Sequence, residues 1–120
     1  MKAYLRKLHP HDITHEVSVQ TYYVHAFFDG YSTMVFHNTK HPHIDYNVVI
    51  NNVTDPRFGG QFKSIYRYDG PRVGDFLLIR KLAPRRYSLE LIKTTSPEYP
   101  RYKAEFDCNN RVDRHAVIDI

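Results

Sequence analysis

The stretch Gly74-Asp75-Phe76-Leu77-Leu78-Ile79-Arg80-Lys81-Leu82-Ala83-Pro84-Arg85-Arg86-Tyr87-Ser88-Leu89-Glu90-Leu91-Ile92 constrains the fold more than any other part of the chain. It reads as a β-hairpin turning at Ala83 to Arg86, and its first arm is apolar enough to be buried on both faces. Strands this apolar aggregate when an edge is left open, so they favour an architecture that closes on itself. The rest of the chain agrees. With 10 Tyr, 7 Phe and no Trp, aromatic and β-branched residues outweigh helix formers, and 7 Pro and 5 Gly supply turns. The 120 residues make one domain.

Further strands are predicted at Ala3 to Leu8, Val17 to Val24, Ile44 to Ile50, Gln61 to Tyr68 and Tyr102 to Phe106. Polar loops are expected at His9 to Glu16, His37 to His43 and Thr94 to Pro100, and a turn-rich connection at Thr54 to Gly60. Asp29 to Phe36 can form one or two helical turns carrying Met34, Val35 and Phe36, and Cys108-Asn109-Asn110 a turn. Val112 to Ile120 fits either a last strand or a short helix. The expectation is a mainly β, closed or nearly closed barrel with a minor helix.

Charge narrows the function. Between Arg57 and Arg86 there are eight basic residues against Asp69 and Asp75, a net of +6 inside a chain of net +4. A concentrated cationic surface suits a polyanion, because each neutralised phosphate releases counterions. Tyr66, Tyr68 and Tyr87 are interleaved with it and are candidates for stacking or phosphate hydrogen bonds.

Catalytic and metal motifs are weak. Cys108 is the single cysteine, which excludes an internal disulfide and a cysteine-built zinc site. His37, His41 and His43 resemble a ligand cluster, but they fall in one predicted loop beside Pro42 and lack a second framework element. Asp75 with Glu90 and Lys93 imitates a nuclease carboxylate-lysine pattern. Glu90 and Lys93 are three apart, however, and would point to opposite sides of a strand. No Gly-rich phosphate loop is present. No metal or cofactor is expected. With no long apolar run and no signal-peptide pattern, the expected setting is cytoplasmic, with no membrane partner.

Tyr4-Leu5-Arg6-Lys7-Leu8-His9-Pro10-His11-Asp12-Ile13-Thr14, followed by a strand ending in Tyr22-Tyr23-Val24, resembles the opening of the effector-binding N-terminal domain of EcoRII-type restriction endonucleases. Ile65-Tyr66-Arg67-Tyr68 and Phe76 to Ile92 resemble that domain's later strands. The domain belongs to the DNA-binding pseudobarrels, with the plant B-three domain. The resemblance implies a seven-stranded open pseudobarrel with one or two short helices. It also implies two loops that grip the major groove of double-stranded DNA, an N-arm within Lys7 to Glu16 and a C-arm within Arg67 to Arg72.

On that basis the N-arm contacts are Lys7, His9, His11, Asp12, Thr14 and His15, and the C-arm contacts are Arg67, Tyr68, Asp69 and Arg72. Arg57, Lys63, Arg85 and Arg86 are assigned to the DNA backbone. Lys and Arg suit guanine, and Asp12 suits the cytosine amino group. The chain then reads as a single recognition domain, residues 1–120, from a longer restriction protein, with cleavage by a nuclease domain fused or acting in trans. Two other readings remain at this point: a small metal-dependent nuclease on the His37–His43 loop, and an OB-like single-strand binder using Tyr66, Tyr68 and Tyr87.

Overall fold

The computed structural model describes residues 1–51, 55–109 and 114–120. Its centre is the anticipated hairpin, β5 (Phe76–Ala83) and β6 (Arg86–Ile92). Leu77 and Ile79 of β5 enter one core, while Phe76 and Leu78 enter a second core on the opposite face. A strand buried on both sides needs partners along both edges. β1 (Lys2–Lys7) pairs antiparallel with β5, and β2 (Thr33–Asn38) pairs parallel with β6.

β3 (His41–Asn51), β4 (Arg57–Gly60) and β7 (His115–Asp119) complete a seven-stranded sheet in the order β4-β3-β2-β6-β5-β1-β7. The sheet curls into a half-barrel. Its two outer strands are β4 and β7, and Val17 to Val19 runs between the sheet's ends. Ser18 bridges to Arg57 of β4, while its carbonyl and hydroxyl accept from the Arg6 guanidinium of β1, both at 3.1 Å.

Three short helices complete the fold: α1 (Pro10–Thr14), α2 (Thr21–Ala26) and α3 (Tyr99–Asn109). Aromatic residues within α2 and just after it explain its position. Tyr23, Phe27 and Phe28 pack around the Tyr4 ring at centroid distances of 5.4–5.9 Å, so the helix plugs one mouth of the half-barrel. α3 lays Tyr102 and Phe106, one turn apart, over the outer face of β5, β1 and β7.

Several local expectations are corrected. Val17 to Val24 is extended only as far as Val19 and then turns into α2, because Tyr23, Val24 and the capping Phe27 reach the core at helical spacing. Asp29 to Phe36 holds no helix over Met34 to Phe36. Those residues lie in β2, where Met34 and Phe36 alternate inward.

His37 to His43 is not a loop but the β2–β3 hairpin turning at Thr39-Lys40. Pro42 is tolerated there because the register shifts between Phe36 and Asn38, which leaves that stretch without regular pairing. Arg57 to Gly60, read as a connection, is β4. Gly60 has φ +65, and a Cβ there would lie 2.8 Å from the Asn47 carbonyl.

Gln61 to Tyr68 is two 3-10 helices, Phe62–Ile65 and Arg67–Asp69, rather than a strand. Its buried residues Phe62, Ile65 and Tyr66 follow a spacing of three and one, not two. Tyr102 to Phe106 is helical for the same kind of reason, and Tyr99 and Pro100, expected in a loop, begin that helix. Cys108 and Asn109 end it; Asn110 and Val112 lie outside the described residues. Of the two options for the last segment, the strand is the one formed. Among the described residues there are three short α-helices.

Candidate nucleic-acid interface

The strand ends define one rim. β1 ends at Lys7 opposite Phe76, where β5 begins, and β6 ends at Ile92 opposite the same residue. β2 ends at Asn38 opposite His41, where β3 begins, and β4 ends at Gly60 opposite Val48. The connections leaving this rim are therefore residues 8–16, 39–40, 61–75 and 93–98. The first and third are the predicted arms. They are distant in sequence but joined at their roots: Leu8 N–H donates to the Asp75 carbonyl and Gly74 N–H to the Leu8 carbonyl, both at 2.9 Å.

The N-arm, expected as open loop, carries α1. Pro10 starts the helix, and Asp12 reaches back to accept the His9 amide at 2.8 Å. The other oxygen of Asp12 accepts from Arg6 at 2.7 Å, and the pair is buried, with 0% and 1% side-chain exposure. Arg6 also donates to Ser18 and to the Lys7 carbonyl. Burial lowers the Arg6 guanidinium pKa, and the Asp12 carboxylate opposes that effect.

Asp12 thus has both oxygens committed below the surface. The expectation that it reads a cytosine amino group is corrected: this carboxylate holds the arm in place. Neighbouring N-arm side chains face outward. His11, Thr14 and His15 are exposed, Lys7 and His9 half-buried. The His11 and His15 rings stack at 4.2 Å with 2° between their planes, and the Thr14 hydroxyl hydrogen-bonds His15 Nδ1 at 2.8 Å.

The C-arm is built from the two 3-10 helices. Phe62 and Ile65 bury its base in the core. Asn38, 3% exposed, holds the second 3-10 helix by donating to the Ile65 carbonyl at 2.9 Å and to Asp69 at 2.8 Å. Gly70 follows in the left-handed region at φ +67, with its carbonyl held by Lys93.

Asp75, fully buried, accepts the amides of Arg72 and Thr94, each at 2.9 Å. On this fixed base Arg67 and Arg72 are exposed, and Tyr68 projects with 84% of its surface accessible. The Arg67 guanidinium lies 4.6 Å from the Tyr68 ring centre. Asp69 is half-buried and shared between Asn38 and Lys40.

The basic run does not form one surface. The hairpin carries Arg85 and Arg86 to the far end of β5 and β6, roughly 20 Å or more from the arms at the usual rise per residue. There Arg86 pairs with Asp45 at 3.2 Å, and Arg85 stacks on Tyr31 at 4.7 Å. Arg80 and Lys81 pair with Glu90 and Asp29. Arg57, half-buried, lines a polar cleft of about 300 Å³ with His11, Glu16, Ser18, Asp55 and Arg114.

Tyr66 and Tyr87 are 2% and 0% exposed, and burial raises both phenol pKa values, so neither is a stacking platform. The three clustered histidines are dispersed along β2 and β3. No group of three or more metal-ligating side chains occurs among the described residues.

Lys40 and Lys93 reach this rim although they were not predicted for it. Lys40 is brought there by the β2–β3 turn, and Lys93 by the end of β6. Ile13 and Val73 are exposed apolar residues on the two arms. Lys40 and Lys93 lie in no distinctive local motif, and strand pairing is what brings them to the rim.

Among solved structures, the chain is similar to the N-terminal domain of Helicobacter pylori LlaJI.R1, with a TM-score of 0.86 over 100% of this chain and 99% of that one, at 24% sequence identity. That likeness establishes the fold. No protein-family model and no curated protein matches the sequence.

Proposed function

We propose that this chain is a sequence-specific double-stranded DNA-binding module whose N-arm and C-arm enter the major groove, and that it serves as the target-recognition part of a restriction system. One observation carries the reading. Two segments about fifty residues apart in sequence, one rich in histidine and one carrying Arg67, Tyr68 and Arg72, converge on one rim and are held by buried polar contacts. A rigid base under exposed cationic tips is what base reading requires, because side chains must meet base edges in fixed register.

Arg67 and Arg72 suit guanine edges, His11, Thr14 and His15 suit bases or phosphates, and Ile13 and Val73 suit thymine methyl groups. Lys7, Lys40 and Lys93 surround the arms as phosphate contacts. The fold likeness to a domain titled for a LlaJI.R1 protein supports the assignment to restriction, with cleavage by a nuclease domain fused or in trans. The resemblance of Tyr4 to Thr14 to the opening of EcoRII-type effector-binding domains points the same way. No helix of the described residues is long and apolar enough to cross a membrane.

The single-strand reading loses two of its three platforms to the core. Selection from a pool of random duplexes tests the proposal. A consensus should emerge, with affinity falling steeply as salt rises. Recovery of no consensus, or stronger binding to single strands than to duplex, would overturn it.

A further inference from the structure

We propose that Lys63 is a strut that sets the gap between the two arms, and is therefore a positioning residue for base reading rather than a phosphate ligand. The inference rests on the duplex-reading function proposed above. Lys63 stands on the first 3-10 helix of the C-arm, whose neighbours Phe62 and Ile65 are 0% and 4% exposed, so its stem rises from an immobile base. Its ammonium leaves the C-arm altogether. Nζ donates to the Ile13 carbonyl at 2.9 Å and to the His15 carbonyl at 2.6 Å, both in the N-arm.

Those carbonyls belong to the last turn of α1 and the residue after it, where backbone oxygens lack helical partners and carry the negative end of the peptide dipoles. A lysine there completes the helix end. An ammonium has three N–H donors, and two are used here. Burial lowers the Lys63 pKa, with Asp12 opposing the shift, as expected for a cation turned into the protein.

The consequence concerns register. The N-arm is held from beneath by Arg6 and Asp12, and the C-arm by Asn38 and Asp75. Lys63 is a side-chain link that ties the base of the C-arm to the end of α1 in the N-arm. With it, contact of His11 or His15 with one base pair dictates where Arg67 and Arg72 fall. Without it, each arm settles on the duplex separately, and cognate and non-cognate sites become more alike. The His11–His15 stack sits over the turn that Lys63 holds, so its orientation depends on the same link.

The test compares wild type with Lys63→Met, Lys63→Gln and Lys63→Arg in the full chain. The first readout is amide hydrogen exchange of residues 11–16 in the free protein. Lys63→Met and Lys63→Gln should each speed exchange there, and Lys63→Arg, which keeps the donors, should restore much of the protection.

The second readout is binding to the selected duplex and to a scrambled one across a salt series. The strut predicts that the cognate-to-scrambled affinity ratio falls about tenfold, on the scale of one charge-assisted hydrogen bond, with an unchanged salt slope. A phosphate ligand predicts the reverse: a slope smaller by about 0.9 and an intact ratio. That result, or unchanged exchange in both uncharged variants, overturns the strut. A wild-type protein that binds no duplex overturns the DNA assignment and with it the base-reading role, whereas the exchange comparison still decides whether Lys63 holds the arms together.

Discussion

Replacing Arg6 by methionine should destabilise the domain far more than its single position suggests. The guanidinium has no surface exposure, and it donates to Asp12, to the Ser18 carbonyl and hydroxyl, and to the Lys7 carbonyl. Methionine fills a similar elongated space but supplies no donors. Asp12, 1% exposed, would then keep the His9 amide but lose its cationic partner.

Removing one member of a buried ion pair costs about 3–5 kcal/mol, set against a total stability of about 5–15 kcal/mol for a domain of this kind. Removing both charges relieves the orphan. Arg6→Met with Asp12→Asn should therefore lose clearly less than the sum of the two single replacements, with an interaction energy of about 2 kcal/mol. Urea unfolding followed by circular dichroism measures each midpoint, and an unchanged slope shows that the comparison concerns stability alone. If Arg6→Met costs under about 1 kcal/mol, or if the two replacements simply add, the pair is not the anchor of the N-arm.

The same assay checks a pH dependence. His115 is 1% exposed, hydrogen-bonded to the Tyr4 hydroxyl, and its pKa is pushed down to about 3, first by burial and then by Arg6, Arg114 and His9. The unfolded chain binds this proton from about pH 6.5 downward while the folded one does not. Stability is therefore full above that pH and is lost as pH falls toward 3, by up to about 1.4 kcal/mol per pH unit. His115→Gln should flatten the slope between pH 4 and 6, and equal slopes for the two proteins would contradict this.

For DNA, Arg67→Ala and Arg72→Ala should each cost about 1–3 kcal/mol on the selected site and relax preference at particular base pairs. Arg85→Ala and Arg86→Ala, at the opposite rim, should leave binding unchanged. A competition titration in which the far-rim variants lose as much as the arm variants would refute the geometry.

The hairpin from Phe76 to Ile92 was legible because both its signals are local: an apolar run, and a Pro-containing turn between it and a second strand-like segment. So was the mainly β character, which follows from composition. The two helical segments read as strands show the limit. Val17 to Val24 and Tyr102 to Phe106 contain aromatic and β-branched residues that favour strands, but Tyr23 with Phe27, and Tyr102 with Phe106, can each meet a core only at helical spacing. Packing overrode local preference there. The element from Gln61 to Tyr68 was misread for a similar reason, since its alternation was accidental and its buried positions are adjacent or three apart.

The resemblance to a known family nominated the arms, and residue type along the chain added that the second of them lies in a basic stretch. Where the charges go in space does not follow from residue type. Counted in sequence, Arg57 to Arg86 is one basic block. In space the hairpin separates it by the length of a strand, and acids from distant segments, Asp29 and Asp45, neutralise its far end. Asp12 was nominated as a reader because the family resemblance places it in the N-arm and a carboxylate can accept from the cytosine amino group. Only the tertiary structure brings Arg6 beneath it, from a strand position whose alternation turns the side chain inward. Composition and local pattern can choose the kind of sheet, because burial of apolar runs is a short-range demand. Which polar groups face a ligand and which hold the scaffold depends on partners far away in the chain, and only strand pairing and packing supply them.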